Sequence, residues 1–457
     1  MPKETQLTVT MDRFFKITER GSTLFRECLA GLVTFMSMAY IVCVQPQIMS
    51  GAMFNVTTGA DAAALVTTTC LVAAIGCVLM GLWANYPLGL APGMGENIFV
   101  VLTVFPACVA LVGQNGNTEA WSLALGVVLI SGVLFALLSF MNLRKYLVEA
   151  ISPGLRGGMS AGIGLFIALI GLQHAEVIVC KNNLYVLGSL AEPAPFVFLV
   201  GLIVTASLHT LNIRGSILYG IIASAITALC FGKIVPVYPL GLPADPSPVV
   251  AQMNILGVFY YLHELLPFLL ILVFMELFDT LGTVIGIGTR AGLIKDNQFP
   301  DIEKVFAVDA TATVIGAVGG HSTVTAYVES VTGVETGGRT GLTALVTGVC
   351  FLLAMFCSPC ILMIANYRPI TSSALVIVGA LMLQSATKID WNDFSESIPA
   401  FLLMIGIPLS YNIADGLILG FLVYPIIKIF SGKGKQVRWI LYALTIVLIL
   451  YVAFLKS

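Results

Sequence analysis

The stretch PLGLAPGMGENIF, residues 87–99, lies inside an apolar run and yet does not read as one continuous helix. Pro92 removes a backbone donor, and Gly89, Gly93 and Gly95 weaken the helix on both sides of it. The pattern predicts an extended piece followed by a half-helix whose first N–H groups open into the interior. A second stretch, GGHSTVTAYVES (319–330), repeats that logic with more polar side chains. Irregular backbone is tolerated at bilayer depth only where protein or a cavity satisfies it.

The surrounding composition makes bilayer depth the relevant setting. The chain has 457 residues, 58% hydrophobic and only 10% charged, with a mean hydropathy of +0.98. Soluble domains carry about 25% charged residues, so composition alone assigns a membrane protein. The net charge of −2 and the lack of a basic tract argue against nucleic acid as a partner. Ten cysteines are scattered through apolar segments with no paired loop framework, so disulfides are not expected. Cys357 and Cys360 form a C-x-x-C at the end of an apolar segment, where packing explains them better than redox chemistry.

Apolar runs able to cross ~30 Å of hydrocarbon fall near 28–49, 62–84, 120–141, 155–173, 195–212, 216–235, 265–288, 340–360, 372–387, 396–411 and 413–430. A weaker run, 304–319, and the two broken segments, 87–104 and 321–336, bring the expected crossings to fourteen. A further apolar stretch, 438–455, either crosses or lies along the surface. Basic residues support the count. The polar leader, 1–27, carries Lys3, Arg13, Lys16, Arg20 and Arg26 and is expected in the cytoplasm. With fourteen crossings, Arg144, Lys145, Arg156, Arg214, Arg290, Lys295, Lys304, Arg339, Lys388, Lys433 and Lys435 fall on the same side; Lys181, Lys233 and Arg368 are the exceptions.

Seven crossings per half put the halves in opposite orientation, the inverted-repeat plan of secondary transporters. The fold class expected is therefore an all-α polytopic membrane protein of two seven-segment inverted repeats. Segments 3 and 10 are the short strand and half-helix pieces, and matching interrupted segments are where such proteins bind substrate.

Three carboxylates sit in these apolar stretches: Glu276 and Asp279 in MELFDTLGT, and Glu329 in AYVESVTG. An ionised side chain at bilayer depth costs roughly 2.5–3.5 kcal/mol on insertion scales, which marks it as functional. Glu276 and Asp279 are three residues apart, hence on one helix face. Two carboxylates so close cannot both ionise cheaply, so one is expected to hold a proton. That suits proton coupling or donation to a nitrogen heterocycle, while Glu329 is placed to accept N–H donors of a planar, amide-like ligand. Glu96 adjoins the half-helix start. Asp309, near the start of its segment, reads as a cap or a cytoplasm-facing group, Asp415 as a corner residue and His321 as a packing residue or a relay. No spacing argues for a metal or cofactor, and no nucleophile or phosphate-loop pattern argues for an enzyme.

At these residues the sequence resembles the AzgA-like purine permeases of the nucleobase–cation symporter group, related in fold to the bacterial uracil permease. The likeness runs along nearly the whole chain and is carried by LAGLVTFMSMAYIVCVQPQIM, APGMGENIFV, GMSAGIGLFIALIGLQHAEVIV, ELFDTLGTVIG, YVESVTGVETGGRTGLTA and LSYNIADGLILGF. The resemblance implies a core domain (28–143 and 258–365) that holds the purine, and a gate domain (144–257 and 366–457) that supports it, often as a homodimer. It also implies proton-driven purine uptake across the inner, or plasma, membrane. By motif, the substrate-facing residues are Asn97, Glu276, Asp279 and Glu329, with Ser322, Thr323 and the backbone N–H groups of 93–95 and 322–325. Glu276 and Asp279 are the proton carriers. Glu96 stands where the family usually has an apolar residue, and Gly320-His321-Ser322 replaces its usual GTS, so adenine, guanine and hypoxanthine all remain open. An anion carrier of the sulfate or bicarbonate type is the alternative on the same fold, against which the acidic side chains argue.

Overall fold

The computed structural model describes residues 6–54, 56–113, 116–140, 151–181, 184–291 and 302–439, with 441–442, 445–446 and 449. Most of these residues are helical, and nine helices among them are long and apolar enough to cross a membrane. They run from Leu24–Met49 through Ala62–Ala84, Met94–Val112, Asn117–Ser139, Pro153–His174 and Pro193–Thr210 to Leu262–Val284, Gly341–Ala365 and Pro369–Lys388. Shorter apolar helices, Ser216–Cys230 and Phe394–Ser410, pack beside them. The molecule is a polytopic helical membrane protein. Arg144, Lys145, Lys295 and most of the 438–455 stretch lie outside the described residues.

Both broken segments contain a strand. β1 (Leu90–Pro92) pairs antiparallel with β4 (Val324–Ala326) in the register Leu90–Ala326, Ala91–Thr325, Pro92–Val324. The pairing extends at both ends: Gly93 N donates to Thr323 O at 2.9 Å and Tyr327 N to Gly89 O at 3.0 Å. Two short extended pieces thus satisfy each other where water is absent. A half-helix follows each strand, Met94–Phe99 and Ser330–Thr336. The turn into the second segment needs glycine, because Gly320 has φ +81° and an added Cβ would lie 2.7 Å from Val249 O.

The first broken segment runs on past residue 104 through wide helical turns at Val100–Val104 to Val112. Pro106 lies in this last stretch, directly after the wide turns. A hairpin of β2 (Ile178–Lys181) and β3 (Leu184–Leu187) stands between the expected crossings 155–173 and 195–212.

The helices sort into two packed groups. Pro153–His174 lies against Pro369–Leu383 and Phe394–Ser410; Pro193–Thr210 and Ser216–Cys230 lie on Pro369–Leu383, and Ile413–Phe430 lies on Phe394–Ser410. The remaining long helices, with both strands, pack among themselves. Small residues let backbones approach in the first group, as is usual where lipid supplies no hydrophobic drive. A Cβ on Gly379 would lie 2.4 Å from Gly164 O, and one on Gly164 would lie 2.7 Å from Gly379 O.

Two polar clasps hold helix ends together. The leader, including the helix Gln6–Phe15, docks where the broken segments meet their neighbours: Arg20 donates to Asn85 O at 2.6 Å and Arg339 O at 3.1 Å, and Asn85 Nδ2 donates to Phe15 O. Buried Glu27 accepts from the Arg339 and Thr340 N–H groups and from Thr343 Oγ1. In the other clasp, Lys428, 2% exposed, sits 2.8 Å from Glu396, which also accepts from Ser152 and Tyr424. Nearby, the Lys433 ammonium and the Ser395 hydroxyl and N–H hold the Asp393 carboxyl well below the usual carboxylate range. Lys428→Met takes the cation from Glu396, which is half-buried and keeps the Ser152 and Tyr424 hydroxyls, so the cost falls below the roughly 3–5 kcal/mol of breaking a fully buried pair. A marked fall in detergent melting temperature is expected, partly restored by adding Glu396→Gln.

Candidate functional site

The strand pair organises three side-chain clusters around it. The first surrounds Asn97. Gln45 Nε2 donates to Asn97 Oδ1 at 3.0 Å, and Asn97 Nδ2 donates back to Gln45 Oε1. Ser322 Oγ also donates to Asn97 Oδ1. The second amide proton of Gln45 faces His321 Nδ1 at 3.2 Å. That nitrogen must therefore accept, so the imidazole is neutral with its proton on Nε2, which points at Thr68 Oγ1, 2.8 Å away. Thr68 passes its own proton to Ala64 O. His321 thus has a hydrogen-bond partner at each ring nitrogen.

The second cluster is the acceptor-rich one. Tyr40 OH donates to Glu329 Oε1 at 2.9 Å, and Thr325 Oγ1 donates to Asp279 Oδ2 at 3.1 Å. Tyr327 OH closes on Pro92 O at 2.5 Å, tying one strand segment to the other. Asp279 is an electrostatic neighbour of Glu329, Tyr40 and Tyr327. Glu329 is 8% exposed and Asp279 half-buried. Each carboxylate holds only one of these hydroxyls, which leaves acceptor capacity for a ligand.

The third cluster joins Glu276 to Asp309. Thr313 Oγ1 donates to Glu276 Oε1 and Thr280 Oγ1 to Asp309 Oδ2, with all four residues buried. This corrects the reading of Asp309 as a cap or a cytoplasm-facing group: it lies inside the bundle, on the Ile302–Val318 helix. Glu276 and Asp279 share a helix, but Glu276 turns to that neighbouring helix while Asp279 turns to β4. Glu96 is an electrostatic neighbour of Glu276, Asp279 and Asp309, and its Oε2 packs where a Gly93 Cβ would stand.

The expected backbone contacts are also corrected in part. Gly93 N is taken by Thr323 O, and Val324 N by Thr313 Oγ1 at 3.0 Å. Thr323 Oγ1, by contrast, is buried with no partner among the described residues. Asn97 and Ser322 come together, as do Asp279 and Glu329, but among the described residues no hydrogen bond joins the two pairs. Sequence reasoning missed Tyr40, Gln45, Thr68 and Tyr327. The sequence QPQ (45–47), two glutamines flanking a proline inside an apolar helix, was the available signal for Gln45.

A cavity of about 560 Å³ opens at the seam between the helix groups, lined in part by Gln173, His174, Lys233, Tyr367, Arg368 and Tyr411. It holds two of the three basic residues that break the charge pattern and none of the carboxylates above.

The model of the Permease family for xanthine and uracil carriers matches residues 25–419. The guanine/hypoxanthine permease PbuG of Bacillus subtilis is 39% identical over 451 residues, covering 98% of this chain and 100% of that protein. The adenine permease AdeQ of Escherichia coli is 37% identical, covering 96% and 97%. Among solved structures, the transmembrane domain of the cyanobacterial bicarbonate transporter BicA is similar in fold, with a TM-score of 0.63 at 14% identity, over 86% of this chain and 96% of that one.

Proposed function

The chain belongs to the xanthine/uracil Permease family, and from that premise we propose that it imports purine nucleobases (adenine, guanine or hypoxanthine) with protons by alternating access. The observation that carries the reading is the pair of acceptors, Asp279 and Glu329, held side by side by the β1–β4 strands with no basic side chain among their bonded partners. Purines present N–H groups along their edges, and two carboxylates accept them at fixed spacing. Asn97, Ser322 and Thr323 form the adjoining wall. Glu276 or Asp279 carries the coupling proton.

In this reading the strand-bearing helices form the core domain, 28–143 and 258–365. The helices packed on Pro369–Leu383 form the gate, 144–257 and 366–457, through which two copies pair. The same reading has fourteen crossings arranged as inverted repeats, the leader in the cytoplasm and the chain in the plasma membrane. The fold likeness to a bicarbonate transporter favours an anion as the second reading, but an anion would meet carboxylates at the site.

Radiolabelled uptake into cells lacking their own purine permeases tests the proposal, with adenine, guanine, hypoxanthine and uracil compared. Saturable uptake of at least one purine, abolished by an uncoupler and untouched by excess sulfate or bicarbonate, is expected. Competition by those anions instead of by purines would replace the proposal with the second reading.

A further inference from the structure

The β1–β4 ribbon has two unlike faces. Leu90, Pro92, Val324 and Ala326, paired in register, form its back. There the ribbon packs on helix glycines: Leu90 Cβ lies 3.1 Å from where a Gly76 Cβ would stand, and Val324 Cγ2 lies 2.6 Å from that of Gly316. Side chains alternate along a strand, so Thr323 and Thr325 point to the front, with Gly93 and Ala91 opposite them. Gly93 leaves a gap on this front, and Glu96 fills it. A Cβ on Gly93 would run into Glu96 Oε2, with Thr325 Oγ1 3.3 Å from the same point. Glu96 is 3% exposed. Its carboxylate reaches back to its own N–H and has Asp279 as its first electrostatic neighbour, and among the described residues no side chain bonds it. Asp279 meets the front through Thr325, and Glu329 stands just past β4. Thr323 Oγ1, at 0% exposure, has no hydrogen-bond partner among the described residues. The front thus carries acceptors in excess and one unused hydroxyl, and buried polar atoms in that state ask for a ligand.

We propose that Glu96 is a specificity-determining residue of this site and selects the 2-amino-6-oxopurine, guanine, over purines that lack the C2 amine. Guanine presents N1–H and an amine N–H side by side on one edge and an imidazole N–H on the other. It therefore has a donor for each of Glu96, Asp279 and Glu329. Hypoxanthine has the same rings without the amine, which leaves one carboxylate unmatched, and an unmatched buried acceptor is what rejects an analogue most strongly. Adenine turns an N1 lone pair to the edge where guanine has N1–H, and a carboxylate repels it. The Thr323 hydroxyl can donate as well as accept, and it supplies the donor that a 6-oxo group needs. The inference rests on the purine-transport reading and narrows it, giving Glu96 and Thr323 separate parts in the choice among purines.

The test is the KM for radiolabelled guanine, hypoxanthine and adenine, measured at matched membrane expression in cells lacking their own purine permeases. For the wild-type protein the guanine KM is expected to lie at least about tenfold below that of hypoxanthine, with adenine weaker still. Glu96→Gln keeps the shape and loses one acceptor. It is expected to raise the guanine KM at least about tenfold while the hypoxanthine KM moves less than about threefold. Glu96→Leu is expected to do the same, and it decides the matter if the glutamine variant does not reach the membrane. Thr323→Val is expected to raise the KM of both 6-oxopurines by about three- to tenfold and to leave adenine unchanged. A residue that merely supports the fold would move all three substrates together. Equal loss for all three in the Glu96 variants, a guanine preference that survives in them, or a wild-type protein that prefers hypoxanthine or adenine would overturn the proposal. Wild-type protein that takes up no purine at all would instead overturn the substrate reading on which it rests.

Discussion

Glu329→Gln is expected to reduce purine uptake by two to three orders of magnitude while leaving the protein folded. Tyr40 OH can donate to an amide oxygen as well as to a carboxylate, and glutamine has nearly the same shape, so the local packing survives. What is lost is the charge and one acceptor, which becomes an NH₂ facing a ligand N–H. A hydrogen bond to a charged group contributes about 1.5–3 kcal/mol, and an unsatisfied buried donor costs about 1–3 more. Each 1.4 kcal/mol is about tenfold in affinity. Uptake kinetics at matched membrane expression provide the check, and a variant with wild-type uptake would remove Glu329 from the site. Tyr40→Phe is expected to cost less, about three- to tenfold, because the carboxylate stays.

Gly379→Leu is expected to have the largest effect on stability. Its Cβ would stand 2.4 Å from Gly164 O and 2.9 Å from Ala168 Cβ. Because the first obstacle is backbone, no rotamer relieves it, and the helices Pro153–His174 and Pro369–Leu383 must move apart. Overpacking typically costs about 1–3 kcal/mol and more where backbone must shift. Loss of most monodisperse protein on detergent extraction is therefore expected. Any surviving protein should keep its substrate KM, since the side-chain hydrogen bonds of Asn97, Asp279 and Glu329 go to the strand segments and to the Tyr40–Met49 helix. Gly379→Ala should be milder but in the same direction, and a Leu variant as stable as the parent would show that the seam is looser than described.

How much of this was legible in the sequence depends on whether the signal was local. Pro92, the glycines around it and the GGHST run announced two interrupted segments, because backbone chemistry is written residue by residue. Glu276, Asp279 and Glu329 stood out because charge in an apolar run is rare. Asp309 stood out for the same reason but was read as an end-cap, since its distance from the segment start was weighed and its partner was not. The signal existed in paired form, E-x-x-x-T (276–280) and D-x-x-x-T (309–313), yet only tertiary packing shows that the two pairs cross. Tyr40 and Gln45 were overlooked because one polar group in an apolar helix has many innocent explanations. The β2–β3 hairpin could have been found: VIVC and LYVL flank a short polar turn.

The pairing of β1 with β4 sets an order of assembly. Tyr327 and Pro92, joined by one hydrogen bond, are 235 residues apart in sequence. During synthesis the first strand reaches the membrane long before its partner has left the ribosome. Until then its N–H and C=O groups have no strand to meet, and hydrocarbon offers them nothing. The first broken segment must therefore wait in a wet or protein-shielded location, and it becomes a settled crossing only after the second half is inserted. Nascent chains arrested before residue 320 are expected to leave Cys77, which bonds Leu90 in the finished protein, open to a water-soluble thiol reagent. Chains arrested after the whole bundle has emerged should protect it.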